Sequence, residues 1–447
     1  MNKLNILQYK HILVLGLARS GTAVAKVLLQ YGKKVRINDL KTPDGHTIAQ
    51  LKGMGADIII GSHPLSVLDQ IELVIKNPGI PYDHPIVREA CRRDIPIITE
   101  IELAGQLTQA PIIGITGSNG KTTTTTLVTE MLAMSNQRVK VAGNIGIVAT
   151  DVAKNIESEE KLVLELSSFQ LLGIKTFKPH IAVLLNIYDA HLDYHKTLDN
   201  YIKAKSNIFS KQTIEDYLVY NADDERTAQV IKRAKSNLIP FSRKRALSTG
   251  AWADLTSVYY CEEKIIDRAD IALVGEHNLE NILAAISVAK LNGATTESIV
   301  NTLKSFTGVK HRLQFIKQIN GRLFYNDSKA TNVLATQKAL SSFNEPTILL
   351  AGGLDRGHTF NDLLPYLTHV RAMIVFGQTA PKLENLAKVA NIPVVTVNDV
   401  KEATLAAYKK SNSGDVILLS PACASWDQYQ TFEERGNMFI KAVHTLS

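Results

Sequence analysis

Pro111-Ile112-Ile113-Gly114-Ile115-Thr116-Gly117-Ser118-Asn119-Gly120-Lys121-Thr122-Thr123 carries an apolar run into a glycine turn and out into a helical stretch that continues through Leu127. Glycine admits close backbone approach, so successive N–H groups can face phosphate oxygens at the positive end of the helix. In that frame Lys121 reaches the outer phosphates of a nucleotide and Thr122 holds Mg²⁺. The G-K-T triplet alone is a weak signal. The usual phosphate-loop spacing also fails by one residue, because Ile115 stands where the first glycine belongs. Context restores the reading: a strand precedes the turn, Gly117 sits within it and a helix follows.

Working outward, short β-branched runs alternate with amphipathic stretches, which is the pattern of strand–helix–strand units with parallel strands. Strands are expected at 11–15, 34–38, 56–60, 73–76 and 95–99, with a helix at 23–31. A second series has strands at 111–115, 162–166 and 181–186 and a helix at 279–291. A third runs from residue 323 through 347–351, 372–376, 394–397 and 416–419. A chain of 447 residues fits three domains of about 150 residues each. The expected fold is α/β, three domains each built on a mainly parallel sheet: a Rossmann-like domain at 1–98, a P-loop ATPase domain at 99–308 and a second Rossmann-like domain at 309–447.

Fifty basic residues against 43 acidic ones leave a net charge of +7 without a long Lys/Arg block, a mild bias toward anionic ligands. Aromatic residues are 6% of the chain, too few for a stacking face, so no nucleic-acid partner is expected. Cys91, Cys261 and Cys423 are far apart and odd in number, which argues against a disulfide framework or a zinc site and for a reducing compartment. No apolar stretch approaches the length of a membrane span, and residues 1–8 lack the pattern of a secretory signal. A cytoplasmic monomer without membrane insertion is the expectation.

In the first domain Gly16-Leu17-Ala18-Arg19-Ser20-Gly21 follows a strand, and Asp39 lies 18 residues beyond Gly21. That nearly matches a dinucleotide fingerprint and keeps a dehydrogenase reading open, although Ala18 replaces the glycine that lets a pyrophosphate approach. Asn278 and Asn281 are three apart on a helix, share a face and could hydrogen-bond an adenine edge.

Further segments fall in order along the chain: Gly143-Asn144-Ile145-Gly146, Glu165-Leu166-Ser167-Ser168-Phe169-Gln170, Asn186 with His191-Leu192-Asp193, and Gly275-Glu276-His277-Asn278 with Asn281. His311-Arg312-Leu313, Asn326-Asp327-Ser328-Lys329-Ala330-Thr331-Asn332 and Ser420-Pro421-Ala422-Cys423-Ala424-Ser425-Trp426-Asp427 complete the set. With the phosphate loop, these resemble the Mur ligase family over nearly the whole chain, and its D-glutamate-adding branch most. The resemblance implies an ATP-dependent ligase joining D-glutamate to UDP-N-acetylmuramoyl-L-alanine in peptidoglycan precursor synthesis. The route would run through an acyl phosphate and a tetrahedral intermediate, releasing ADP and phosphate. Folylpolyglutamate synthase, which shares the fold, and a P-loop switch acting on nucleic acid are the other readings.

The same resemblance implies roles. Gly117 to Thr123 bind ATP together with Asn278, Asn281, Arg312 and Asp327. Two Mg²⁺ are implied, the first held by Thr122 and Glu165, the second by His191 and by Lys205 as its carbamate. Arg19 and Ser20 take the diphosphate of the UDP substrate, Asp39 its uracil, and Gly79, within Asn77-Pro78-Gly79-Ile80-Pro81, helps close the pocket with Asn144, Ser167 and His191. Lys329, Thr331, Arg356, Ser425 and Phe432 surround D-glutamate. Lys121, His191, Lys205 and Lys329 carry the chemistry, and His277 stays open between a structural and a nucleotide role. Two departures stand out: Ala190 replaces a carboxylate often found before the histidine, and Arg356 replaces a lysine, exchanging a point charge for a planar fork.

Overall fold

A computed structural model describes residues 6–273, 275–357 and 359–446. It has three sheets and divides into two compact units, one of residues 1–271 with 276–304, the other of 272–275 with 305–447.

The larger unit begins with a five-stranded parallel sheet: β1 (His11–Leu15), β2 (Lys34–Asp39), β3 (Asp57–Ile60), β4 (Leu73–Lys76) and β5 (Ile97–Ile98), in the order β3-β2-β1-β4-β5. Ile12, Val14, Val35, Ile37, Leu73 and Ile75 fill one side with Val24 and Leu28 of the helix Arg19–Gln30. Each fully buried Val, Leu or Ile contributes about 1.5–3 kcal/mol. The winding direction reverses between β1 and β4, and the crevice outside the carboxyl ends at such a point is where open sheets bind ligands. The turns after β1 and β4 meet there so closely that a Cβ on Gly16, at φ 93°, would lie 2.8 Å from Asn77 Cβ.

The second sheet of this unit has nine strands: β6 (Ile112–Thr116), β7 (Val139–Gly143), β8 (Lys161–Glu165), β9 (Ile181–Leu184), β10 (Tyr217–Asn221), β11 (Asn237–Ser242), β12 (Ala251–Ala253), β13 (Ser257–Tyr260) and β14 (Glu263–Asp267). Their order is β14-β13-β12-β11-β10-β9-β6-β8-β7. All neighbours run parallel until β13 and β14, which add an antiparallel hairpin at one edge. β6 lies between β9 and β8, buried at every residue.

The smaller unit holds β15 (Gln314–Ile319), β16 (Arg322–Asn326), β17 (Thr347–Gly352), β18 (Val370–Phe376), β19 (Val394–Thr396) and β20 (Val416–Leu419), ordered β15-β16-β20-β17-β18-β19. All pairs are parallel except the β15–β16 hairpin. Its turn is Asn320-Gly321, with both residues at positive φ, the conformation a tight two-residue hairpin requires.

The expected α/β class with mainly parallel sheets holds, and β1, β4 and β20 fall on the residues read from sequence. The antiparallel edge strands β13, β14 and β15 go beyond that reading.

Candidate active site

At the carboxyl end of β6 the chain turns through Gly117–Gly120 into the helix Lys121–Met134. Gly120 sits at φ 83°, and a Cβ there would come within 2.0 Å of Asn281 Oδ1. No side chain of the N-cap residue hydrogen-bonds this helix start, and the positive end of a helix favours an anion. Asn186 braces the turn: its carbonyl accepts from Ser118 N (3.0 Å) and its Oδ1 from Asn119 N (2.9 Å). Ser118 Oγ shares a hydrogen bond with Tyr201 OH at 2.9 Å.

Two lysines converge on one carbonyl. Lys121 Nζ donates to Gly117 O at 2.8 Å and to Ser118 O at 3.1 Å. Lys205 Nζ donates to the same Gly117 O at 2.8 Å and lies 4.7 Å from the centre of the Tyr201 ring. Lys205 is 1% exposed; burial, reinforced by the charge of Lys121, holds its ammonium well below the usual lysine range.

Thr122 is buried at the start of the same helix. Glu165 ends β8, and its Oε1 accepts from Asn144 Nδ2 at 2.8 Å. Its Oε2 is buried without a hydrogen-bond partner, an uncompensated acceptor that a cation would satisfy. Among the described residues no three His, Cys, Asp or Glu cluster as a metal site.

His191 is exposed at φ 56° and meets Phe169 edge-on, ring centres 5.0 Å apart. Asn281 Nδ2 donates to Asn278 Oδ1 at 3.1 Å and Thr124 Oγ1 donates to Asn281 Oδ1 at 3.4 Å, so this pair sits against the phosphate turn. The side chain of His277 lies outside the described residues.

A cavity of about 510 Å³ opens between the switch point of the first sheet and the second sheet of the same unit. Arg19, Ser20, Gly79, Asn144 and Ser167, all expected at the UDP substrate, line it. Asp39 and His191 do not; Asp39 instead accepts from Leu17 N at 2.5 Å and Lys41 N at 2.8 Å, bracing the turn after β1.

In the smaller unit Lys329 Nζ lies 5.7 Å from the centre of the Phe432 ring, and the Arg356 guanidinium 4.7 Å from that of Trp426. Thr331 N donates to Lys329 O at 2.8 Å. Ser425 Oγ is buried and has no hydrogen-bond partner. Asp327 accepts from Ser420 Oγ (2.9 Å) and Leu313 N (3.1 Å), and burial pushes its carboxyl up to about 7 against those bonds and the nearby Arg312 charge.

Residues 10–99 match the Mur ligase MurD-like N-terminal domain, 115–289 the Mur ligase middle domain and 311–423 the Mur ligase glutamate ligase domain. UDP-N-acetylmuramoylalanine--D-glutamate ligase of Oceanobacillus iheyensis is 60% identical over the full length of both chains. The protein of that name in Bacillus subtilis is 54% identical over 98% of each. The chain belongs to the Mur ligase family.

Solved Mur ligases share the fold at low identity. MurF from Acinetobacter baumannii has a TM-score of 0.60 at 18% identity, covering 96% of this chain and 93% of its own. MurC from Thermotoga maritima has a TM-score of 0.57 at 19% identity, covering 98% and 100%.

Within each unit, some residues beside the expected positions escape a motif reading. Glu100 lines the cavity as a buried carboxyl, its pKa raised by burial while Thr150 donates to it. His195 is buried against Ser168 Oγ (2.9 Å) and stacked on Phe169, and burial with the charges of His191 and Lys205 lowers it to about 4. Arg435 is fully buried. It donates to Ser328 Oγ (3.0 Å), Ser328 O (2.9 Å), Cys423 O (3.0 Å) and Gly352 O (3.3 Å). It thereby ties together the loops that carry Lys329, Arg356 and Ser425. A charged residue on a helical face gives no local sign of such partners; only its spacing from Phe432 could have flagged it.

Proposed function

We infer that this Mur ligase is the D-glutamate-adding enzyme: it joins D-glutamate to UDP-N-acetylmuramoyl-L-alanine with hydrolysis of ATP to ADP and phosphate, in peptidoglycan precursor synthesis. Full-length identity of 60% with a ligase of that name carries the reading.

Amide formation from a carboxylate is slow because the carboxylate is a poor electrophile. The substrate carboxylate oxygen attacks the γ-phosphorus, the bond to the β-phosphate oxygen breaks and ADP leaves. The amine of D-glutamate then attacks the acyl carbon and loses a proton, and the tetrahedral intermediate expels phosphate. Three anionic reactants must meet, so the protein needs cations and positioning more than a nucleophile of its own.

Residues 117–123 suit the triphosphate, with Lys121 drawn from Gly117 O to the outer phosphates, and Asn278, Asn281, Arg312 and Asp327 complete the nucleotide contacts. Arg19, Ser20, Gly79, Asn144 and Ser167 serve the UDP substrate from the cavity lining, Asp39 and His191 from beyond that lining, and Lys329, Thr331, Arg356, Ser425 and Phe432 serve the amino acid. The orphaned Glu165 Oε2 and the Thr122 hydroxyl fit one Mg²⁺, with His191 and carbamylated Lys205 holding a second. Bound Mg²⁺ would supply neutralisation of phosphate charge. Burial shifts Lys205 toward the neutral amine, the form that adds CO₂, which favours the carbamate there. We take the domain limits to be 98/99 and 308/309, and three unpaired cysteines suit a reducing cytoplasm. No described helix is long and apolar enough to cross a membrane; we take the enzyme to act as a monomer.

The test is ADP release with D-glutamate, L-glutamate and other amino acids offered separately. Release should require D-glutamate and UDP-N-acetylmuramoyl-L-alanine together. Release driven by a folate, by nucleic acid or by another amino acid would overturn the assignment.

A further inference from the structure

Lys76 closes β4 with an ammonium that the chemistry above does not use. It is 1% exposed, yet none of its partners is a carboxylate. Nζ donates to Ile80 O at 2.8 Å and to Tyr194 OH at 3.3 Å, with Pro78 O at 3.4 Å and Asn77 O at 3.5 Å. The Tyr82 ring lies under it, 4.7 Å to the centre. Burial alone draws its pKa down to about 8, so the fold carries a desolvation cost, offset only in part by neutral partners, that a methionine of similar length would avoid.

What the ammonium holds is a turn. The carbonyls of Asn77, Pro78 and Ile80 point inward onto Nζ, and Tyr194 OH closes the arrangement by directing its one proton between Pro78 O (3.0 Å) and Ile80 O (2.9 Å). On one side, Asn77 Nδ2 donates to Ser20 Oγ at 3.3 Å, at the end of the cavity that suits the diphosphate. On the other, Tyr194 stands three residues after His191, and Phe169 packs edge-on against both, 4.6 Å from Tyr194 and 5.0 Å from His191. Phe169 also lines the cavity. A continuous path of contacts therefore runs from Ser20 through the turn and Tyr194 to His191.

We propose that Lys76 and Tyr194 form a strut that fixes the distance between the diphosphate end of the UDP-substrate cavity and the His191 segment, making both positioning residues for the ligase reaction. The inference rests on the proposed roles of the cavity and of His191. One long substrate is gripped at its nucleotide end and must present its carboxylate at the other, and a displacement of about 1 Å at a reacting centre can cost on the order of a hundredfold in rate. The strut links the first sheet to the second inside one compact unit.

Lys76→Met removes the charge and keeps the stem; Tyr194→Phe removes only the hydroxyl. Each should lower kcat/KM for UDP-N-acetylmuramoyl-L-alanine about tenfold or more while leaving KM for ATP and D-glutamate within about twofold. The double variant should be no worse than the weaker single one, because both break one strut, and Lys76→Arg should recover part of the loss. Calorimetric titration with UDP itself, which lacks the reacting end, should give wild-type affinity in both single variants. Loss of UDP binding would reduce the pair to holding the pocket's fold and overturn the proposal, as would wild-type kcat/KM in Tyr194→Phe. A wild-type enzyme that releases no ADP with the UDP substrate would instead sink the functional reading.

Discussion

Lys205 and Lys121 aim two amino groups at the Gly117 carbonyl, and Lys205 does so at 1% exposure. Such a site favours the neutral amine, and addition of CO₂ would convert a buried repulsion into an attraction between a carbamate and Lys121. Lys205→Ala should therefore cost on the order of a hundredfold in turnover, and a small added carboxylate, entering the vacated space, should restore part of it. Absence of any recovery across millimolar concentrations removes the carbamate assignment. Asp327 makes an independent case. Burial raises its carboxyl to about 7 in the folded chain, against about 4 when unfolded. Between those values the folded state keeps a proton that the unfolded state has lost, so its contribution is complete below the lower value and is lost as pH rises through the upper one. Stability of the smaller unit should fall by up to about 1.4 kcal/mol per pH unit across that window. Asp327→Asn should remove this slope, as read from urea denaturation at pH 5 and pH 8; an unchanged slope would show that the carboxyl titrates elsewhere.

The strand, turn and helix around the phosphate loop illustrate what an element requires of single residues. Gly120→Ala places a β-carbon 2.0 Å from Asn281 Oδ1 at φ 83°. The left-handed backbone alone costs about 1–2 kcal/mol for an L-residue, and Asn281 must also shift. Thermal melts should show a loss of roughly 1–3 kcal/mol, and KM for ATP should rise at least tenfold as the amides after the turn are displaced. Adding Asn281→Ala should relieve the clash but not the backbone strain, so recovery should be partial; full recovery would mean the clash was the whole effect. This element was legible because apolar run, glycines and helix coincide in a dozen residues. Others were not, for local reasons. β11 contains Pro240, which argues against an interior strand. β7 carries exposed Lys140 on a sheet edge and lacks a continuous apolar run. The β13–β14 turn uses Cys261 at φ 53° in place of the Asn or Gly that marks a tight hairpin.

At the scale of the molecule, the ligand-facing residues of the cavity could be read because they sit in glycine-rich and hydroxyl-rich segments at strand ends, where Arg19, Ser20, Gly79, Asn144 and Ser167 do converge. The residues that hold those segments in place could not, since Lys76 reaches Tyr194 across 118 positions and Arg435 reaches Ser328 across 107. No periodicity records such partners. The division into two units has its own consequence. The whole of this cavity lies in the larger unit, about 300 residues, whereas Arg435, Lys329 and Arg356 belong to the smaller. A ligand stabilises only what it binds. UDP-N-acetylmuramoyl-L-alanine at about one hundred times its Kd adds about 2.7 kcal/mol, which for a unit of that size raises Tm by about 4 °C. Calorimetry should resolve two transitions, with the UDP substrate moving only the one assigned to the larger unit by hydrogen exchange in β1 and β6. Arg435→Met should move only the other, downward, because it leaves the carbonyls of Gly352 and Cys423 buried without their donor. A single transition that both perturbations shift together would mean that the two units unfold as one body and that the partition has no thermodynamic counterpart.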